Sequence, residues 1–378
     1  MAKLPVGYRQ RADGTIESRF TVNGKRYSCY ASTVKECRIK ETELREQIRN
    51  GLYASNRNIT LNQYFEEWEK SRQCSVKEST QIRIRSQYNS HIRNTLGKKK
   101  IVNIERREVQ LFQQELLSKV QPSTANNIFI VLQMILKSAV IDDIIVKSPA
   151  AGIKALMIED KKKASKTIHR ALTREEQAQF MEEAKKAWLY EYMAFLLCTG
   201  VRMGEAAALT WQDIDYTNNV IHISKTTAKD VNHNWVITSP KSKTSVRDIP
   251  LNDTIKDILR KQREKMAVFN GNIIELSQTI FKGSYGAYVS DVNINYEIRS
   301  VLKRLEKKGI KIERFTCHAF RDTFATRYIE EGGSAQVLKT ILGHSSLAMT
   351  MDLYSHVMPD TKQQEMELIE NAFKMVTG

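Results

Sequence analysis

The stretch TCHAFRDTFATRYIEEGGSAQVLKTILGHSSLAMTMDLYSH, residues 316–356, decides the fold of the C-terminal part of this chain. It opens with a helix-forming run in which His318 and Arg321 are three residues apart, so both lie on one helix face. The Gly332-Gly333 pair predicts the end of this helix, because glycine readily adopts the backbone conformation that closes a helix. The first helix is therefore expected to present an imidazole and a guanidinium side by side.

A second helix follows and is predicted to end in a turn. Ser334 is a residue type that caps helix N-termini, and Gly343 is typical of the position just past a helix C-terminus. His344 then lies in a turn directly after this helix, and Tyr354 follows ten residues later on a short amphipathic segment. A guanidinium, two imidazoles and a phenol are thus in a position to converge on one anion.

The motifs HAFR, LGH and a tyrosine about ten residues later resemble, in that order, the tyrosine recombinase family, which includes lambda integrase, Cre and Xer. Upstream, TGVRMGE contains Arg202 and is similar to the family's first active-site arginine motif. PKSKTSVRDIPL, residues 240–251, resembles the hairpin that carries the active-site lysine. Lys243 matches that hairpin best, but the long run after Arg202 leaves Lys241 as the alternative.

Joining DNA to DNA without an outside energy source requires that the energy of the broken phosphodiester be kept, and a tyrosyl ester keeps it. The resemblance implies that Tyr354 is this nucleophile. It also implies that Arg202 and Arg321 bind the phosphate oxygens of the transition state, for which a guanidinium fork is well suited. Glu205, one turn after Arg202, is expected to hold an arginine or to cap the helix.

The two histidines and the hairpin lysine complete the implied site. The resemblance implies that His318 accepts the tyrosine proton or bonds a phosphate oxygen, and that His344 donates to the phosphate. It also implies that the lysine protonates the departing 5′ oxygen as a general acid. The catalytic candidates are Arg202, Lys243, His318, Arg321, His344 and Tyr354.

Composition points to a polyanionic partner. Lys and Arg exceed Asp and Glu by 59 to 43, a formal charge of +16, and such an excess is typical of nucleic-acid-binding proteins. The five cysteines form no CxxC pair, and the sequence contains neither a signal-peptide pattern nor 18 continuous apolar residues. We therefore expect a cytoplasmic, nucleoid-associated protein without membrane contact. No metal-ligand cluster, P-loop or GxGxxG occurs, so no cofactor or metal is expected.

Residues 1–55 are predicted to form a three-stranded sheet and one helix. Turn signals at Asp13-Gly14 and Asn23-Gly24 separate runs at residues 6–11, 15–22 and 25–30. A sheet of this kind with a basic face is suited to a DNA major groove, and the arm-binding domains of lambda-type and conjugative-transposon integrases look similar. The candidates for arm DNA contact are Arg9, Arg11, Arg19, Lys25 and Arg26.

The rest of the chain is predicted as a helical core-binding domain at residues 60–150, a basic linker at 151–169 and a mixed α/β catalytic domain with a tail helix at 170–378. Apolar periodicity predicts four helices in the bundle, the first with Leu61, Tyr64, Phe65 and Trp68 buried and the second with Ile82, Tyr88 and Ile92 inward. In the catalytic domain, residues 219–251 are predicted as a three-stranded meander. The fold class is thus mainly α with small β-sheets (α+β). The phosphate-contact candidates are Arg83, Arg85, Arg93, Lys98, Lys99 and Lys100 in the bundle and Lys161, Lys162 and Lys163 in the linker.

The resemblance implies a site-specific recombinase that acts on double-stranded DNA at core and arm sites. It implies a 3′-phosphotyrosine intermediate, a Holliday junction, a tetramer on DNA, and room for DNA-bending accessory proteins. An apolar stripe in the tail, with Met366 and Phe373, fits either a neighbouring subunit or its own domain. Two alternatives are a non-catalytic DNA-binding protein that retains the fold, which should have lost Tyr354 or an arginine, and a type IB topoisomerase.

Overall fold

The computed structural model describes residues 4–22, 24–49, 58–72, 75–156, 170–230, 232, 234–240, 243–269, 275, 278–283, 288–348 and 350–351. The chain forms two compact units, residues 1–159 and 160–378. The first unit contains two separate hydrophobic cores, one in the N-terminal sheet region and one in a helical bundle. The mainly helical fold with small antiparallel sheets agrees with the predicted class.

The N-terminal region forms the predicted three-stranded antiparallel sheet, with β1 at Tyr8–Gln10, β2 at Ile16–Val22 and β3 at Lys25–Ala31, followed by helix α1 at Val34–Arg49. Side chains alternate between the two faces of a strand. Ser18 and Phe20 of β2 face α1, where they contact Glu41 and Arg45. The alternate residues, including Glu17 and Arg19, therefore lie on the opposite face of the sheet.

The helical bundle consists of α2 at Leu61–Ser71, α3 at Glu78–Gln87, α4 at Arg106–Lys119 and α5 at Pro122–Ile141. Leu61, Tyr64, Phe65 and Trp68 are buried as predicted. In the second helix, Tyr88 and Ile92 are buried as predicted, but Ile82 is only partly buried and Ile84 takes the core position instead. A π-helical turn at Tyr88–Ile92 follows α3 directly. Its wider winding lets Ile84, Tyr88 and Ile92, spaced by four residues, share the buried side.

Helix α5 is long and apolar enough to cross a membrane by length and composition, and it is the one such helix in the described part of the chain. Eight of its side chains are buried, among them Ile128, Leu132 and Ile135. They belong to the same core as the buried residues of α2. Its apolar character is therefore accounted for by its place in the bundle.

The second unit contains seven helices and two small sheets within its described residues. The helices are α6 at Arg174–Ala184, α7 at Tyr190–Thr199, α8 at Met203–Ala208, α9 at Asp253–Phe269, α10 at Asp291–Lys307, α11 at His318–Glu330 and α12 at Ala335–Leu342. Six of the ten residues of α7 are buried and the other four are partly buried, and the helix packs against both α9 and α11. It is therefore the central helix of this unit.

The predicted meander at residues 219–251 is wrong in its pairing. Strands β4 at Ile214–Asp215, β5 at Val220–Ile223 and β8 at Arg247–Pro250 form one antiparallel sheet, while β6 at Thr226–Lys229 pairs with β7 at Trp235–Thr238 in a second. Side-chain and backbone bonds around Asp230 close the β6–β7 hairpin, since its carboxylate accepts from the backbone N–H groups of Asn232 and Asn234. The central strand of the expected meander thus pairs with a strand that the sequence pattern did not reveal.

Candidate active site and DNA-binding residues

Arg202 is held at the N-terminus of α8, just after the end of α7. Gly200 ends α7 in the left-handed conformation, with φ of 64°. A Cβ there would lie 2.3 Å from Cδ1 of Phe324, so only glycine fits. Arg202 occupies the N-cap position, its backbone N–H donates to Glu205 and its Nη1 lies 2.9 Å from Glu205 Oε1. Glu205 was expected to hold an arginine or to cap the helix, and it does both.

Arg321 is buried on α11, with 5% of its surface exposed. Its Nη1 donates to the carbonyl of Gly200 and its Nη2 to the carbonyl of Leu342, both at 2.7 Å. Burial, together with the nearby Arg202, lowers the pKa of Arg321 to about 9. The guanidinium therefore remains cationic at neutral pH.

His344 lies in the predicted turn after α12, next to Gly343, which ends that helix with φ of 65°. Its Nδ1 is 2.9 Å from the hydroxyl oxygen of Thr350. Burial and the positive charges of Arg321 and Arg202 lower the pKa of His344 to about 4. The imidazole is thus neutral near pH 7, which suits a hydrogen-bond donor to phosphate. Ser334 occupies the N-cap of α12 as predicted, but its side chain makes no capping bond there.

A third arginine, Arg247 at the start of β8, completes this cluster and was missed by the sequence reasoning. Its side chain is 3% exposed, and its Nη2 lies 2.9 Å from Oε2 of the equally buried Glu205. Its Nε donates to the carbonyl of Ile341, and its Nη1 donates to the carbonyl of Ser245. Arg247 is part of the PKSKTSVRDIPL motif of the predicted lysine hairpin, but no neighbouring residue in the sequence indicates that its side chain is buried.

The three arginines share the end of one helix. Consecutive carbonyls at the C-terminus of α12, those of residues 341, 342 and 343, accept hydrogen bonds from Arg247, Arg321 and Arg202 respectively. The last carbonyls of a helix have no partner within it and carry partial negative charge, so cations are favourable there. The guanidiniums therefore fix the turn that holds His344, which is itself the next residue.

His318 begins α11, and its side chain is half exposed, with Nε2 3.9 Å from Oδ1 of Asp322. It is close enough to His344 that its charge contributes to lowering the pKa of that residue. Arg202, Arg321, His318 and His344 are therefore brought together as predicted. Tyr354, Lys241 and the tail stripe lie outside the described residues.

Lys243 opens a short 3-10 turn at Lys243–Ser245, directly before β8. Only the backbone of this residue is described. The turn places it two residues before Ser245, whose carbonyl binds Arg247. The lysine assignment stays a prediction.

The N-terminal candidates surround one carboxylate. Glu17 is 1% exposed, and the guanidiniums of Arg9, Arg11 and Arg19 all lie within 3.4 Å of its oxygens. These bonds, those from Arg19 and Arg9 foremost, lower the pKa of Glu17 to about 2. Arg26 is exposed and pairs with Thr21 across the strands, on the same face as Arg19. The side chain of Lys25 lies outside the described residues.

The bundle candidates divide into paired and exposed side chains. Arg85, Arg93 and Lys99 each form an ion pair on the bundle surface, with Glu69, Glu66 and Glu108 respectively. Arg83, Lys98 and Lys100 are exposed. Surface pairs of this kind are weak, so they leave these cations available to a stronger anion. The linker lysines Lys161, Lys162 and Lys163 lie outside the described residues.

The comparisons with known proteins identify the family of this chain. The family model described as "Phage integrase family" matches residues 170–360, which contain all six catalytic candidates. This chain belongs to the phage integrase family. The model for the N-terminal SAM-like domain of phage integrases also matches, at residues 60–117.

Two similar proteins match most of the chain. A XerC-like tyrosine recombinase from Caldanaerobacter subterraneus is 27% identical over 93% of both chains. The ICEBs1 integrase of Bacillus subtilis is 27% identical over 89% of both. The protein is thus a tyrosine recombinase, an integrase of the conjugative-transposon or prophage type, and such enzymes cut and rejoin DNA by transesterification.

Solved integrase structures share the fold. The Tn1549 transposon integrase in complex with a circular intermediate DNA has a TM-score of 0.69 and 23% identity, over 82% of this chain and 99% of that one. A lambda integrase tetramer bound to a Holliday junction has a TM-score of 0.55 and 18% identity, over 93% and 96% of the two chains. Both of these neighbours are integrases bound to DNA.

Proposed function

We propose that this integrase cuts each DNA strand with Tyr354 as the nucleophile. The phenol oxygen attacks the scissile phosphorus, a phosphorus–oxygen bond to the tyrosine forms, and the bond to the 5′ oxygen breaks. The products are a 3′-phosphotyrosyl ester and a free 5′ hydroxyl. One ester replaces another, so the bond energy is retained for rejoining.

The protons balance through two side chains. His318 accepts the proton of the attacking phenol, directly or through a phosphate oxygen, and Lys243 gives a proton to the departing 5′ oxygen. Lys241 is the alternative donor. When a 5′ hydroxyl from a partner strand attacks the phosphotyrosine, the same transfers run in reverse and restore the free tyrosine.

The observation that carries this proposal is the arginine cluster at the end of α12. The transition state places extra negative charge on the phosphoryl oxygens, and preorganised donors there contribute about 2.7–4 kcal/mol each. Arg202 is the more exposed member, with 38% of its side chain accessible, so it is placed to reach a phosphate. Arg321 adds a second positive charge beside Arg202, and a neutral His344 donates a further hydrogen bond to the phosphate.

We propose that the chain contacts DNA through three parts: an arm-binding domain at residues 1–55, a core-binding domain at 60–150 and the catalytic domain at 170–378, joined by a linker at 151–169. Separate modules on one duplex raise avidity through their effective concentration. Recombination joins four strands, and the lambda integrase neighbour is a tetramer on a Holliday junction. Four copies of this chain, acting in the cytoplasm on nucleoid DNA, fit that arrangement, with DNA-bending proteins as further partners.

The experiment that tests the proposal is covalent trapping on a nicked suicide duplex, which loses the 5′ fragment after cleavage. Wild-type protein is expected to form a denaturant-resistant adduct, whereas Tyr354→Phe forms none and binds the duplex with unchanged affinity. Tyr328→Phe changes a partly buried tyrosine of α11; it is the matched control and should retain the adduct. An adduct that persists in Tyr354→Phe would assign the nucleophile to another residue.

A further inference from the structure

Arg247 belongs to the arginine cluster at the end of α12 but has no role in the proposed reaction. All three of its side-chain nitrogen groups are engaged: with Glu205, with the carbonyl of Ile341 and with that of Ser245. These partners come from α8, α12 and the turn before β8. A buried arginine that ties together three separate elements at one point is costly to desolvate, and this cost is offset only because every donor is used.

The bonds of Arg247 lead directly to Arg202. Glu205 uses Oε2 for Arg247 and Oε1 for Arg202, so the carboxylate is a bridge between the two guanidiniums. Arg202 in turn donates to the carbonyl of Gly343. Because Nη1 and Nη2 of Arg202 are both hydrogen-bonded, its guanidinium cannot easily rotate away from the proposed position of the phosphate.

Arg247 also supports the turn that holds His344. If Gly343 carried a Cβ, that atom would lie 3.0 Å from the carbonyl oxygen of Thr244 and 3.1 Å from Nη1 of Arg247. The turn at Gly343 and His344 therefore packs closely against Thr244 and Arg247, at the end of the predicted lysine hairpin. Because Arg247 binds the carbonyl of Ile341, two residues before Gly343, it fixes both sides of this contact.

We propose that Arg247 is a positioning residue for DNA cleavage, which aligns Arg202 through Glu205 and holds the Gly343–His344 turn in register with the hairpin. The inference rests on the proposed roles of Arg202 and His344. Arg247 does not touch the phosphate. It sets the geometry of the groups that do, and a misplacement of about 1 Å in such groups costs about a hundredfold in rate.

The test is the single-turnover rate of adduct formation on the suicide duplex by Arg247→Lys, which keeps the charge but cannot reach three acceptors. We expect a loss of about tenfold to a hundredfold, with DNA affinity unchanged. Arg304→Lys is the matched control, because Arg304 binds Glu183, another carboxylate that is 3% exposed, outside the proposed site. Both rates are measured at the same interval below each variant's thermal midpoint, so that loss of folded protein does not enter. Arg247→Gln is the second variant if the lysine substitution lowers the midpoint too far.

A modified substrate separates this role from two others. A sulfur in place of the bridging 5′ oxygen leaves without a proton and so removes the need for the general acid. It should not restore the rate of Arg247→Lys. If the sulfur substrate restored the rate, Arg247 would act through the hairpin lysine. If Arg247→Lys cleaved the ordinary duplex as fast as Arg304→Lys does, Arg247 would have only a structural role. Either result overturns the inference. An adduct in Tyr354→Phe would instead refute the proposed function itself.

Discussion

Two arginine clusters in this integrase are each built on one buried carboxylate, yet they differ in how the arginines are held. Glu17 in the N-terminal sheet and Glu205 in the second unit are 1% and 3% exposed. Around Glu17 the arginine side chains are 45–59% exposed and contact mainly that carboxylate. Around Glu205, Arg247 is 3% exposed and Arg202 38%, and both also bind backbone carbonyls.

The difference teaches how one residue type serves two purposes. Exposed guanidiniums that share one anchor can turn toward different phosphates or bases, which suits recognition of a long DNA surface. Guanidiniums fixed by backbone carbonyls have a single orientation, which suits stabilisation of one transition state without reorganisation. If the proposed function is right, the cluster at Glu205 should govern the rate of cleavage and the cluster at Glu17 the affinity for DNA.

The largest expected effect is on the catalytic side of this comparison. Arg202→Lys keeps the charge but loses the guanidinium fork that binds Glu205 and Gly343 and that we propose to bind the phosphate. The single-turnover rate of adduct formation should fall by about a hundredfold to a thousandfold, while affinity for a core duplex changes by less than about threefold. Arg304→Lys is again the control. An equal loss of affinity and rate would show that Arg202 serves binding rather than the transition state.

A smaller effect is expected on the sheet side. Arg19→Gln should weaken binding to an arm duplex by about tenfold and lower the slope of log affinity against log salt by about 0.9, the value for one phosphate contact. Cleavage of a short core duplex should not change. Arg38→Gln, which removes the same charge from an exposed position on α1, is the control. The two clusters would not be separate in function if Arg19→Gln also slowed cleavage.

The local parts of both sites were readable from the sequence. Helix boundaries around Gly332-Gly333 and Gly343 follow from glycine chemistry, and they place His318, Arg321 and His344 correctly. The turn signals and alternation of the N-terminal region likewise predict its three strands. Such signals work because both cause and effect lie within a few residues.

The parts that were missed depend on distant partners. Arg247 can be buried because its guanidinium donates hydrogen bonds to Glu205, 42 residues earlier, and to the carbonyl of Ile341, 94 residues later. Strand β6, TTAK, lacks an apolar pattern and is a strand only because β7 pairs with it. The arginines around Glu17 read as a plain basic face, since cross-strand register decides that Arg9 lies opposite the carboxylate. Tertiary context, absent from local patterns, supplies each of these.

The smallest effect is expected at Glu17 itself, where the comparison is sharpest. Glu17→Gln removes the shared anchor of Arg9, Arg11 and Arg19 and one negative charge. Affinity for unrelated DNA should rise by about twofold to fivefold at low salt, because the cations are no longer neutralised. Affinity for the arm site should not rise with it, because the guanidiniums lose their common orientation. The ratio of the two dissociation constants, measured by titration of labelled duplexes, should therefore fall.

Glu41→Gln separates anchoring from simple charge. Glu41 belongs to the same N-terminal region and also loses one negative charge, but its carboxylate accepts from Tyr8 and Ser18 on the helix-facing side of the sheet. This variant should raise affinity for both duplexes alike and leave their ratio unchanged. If both glutamate variants lower the ratio equally, Glu17 only tunes the net charge. The sheet arginines would then need no anchor, and preorganisation would be confined to the cluster at Glu205.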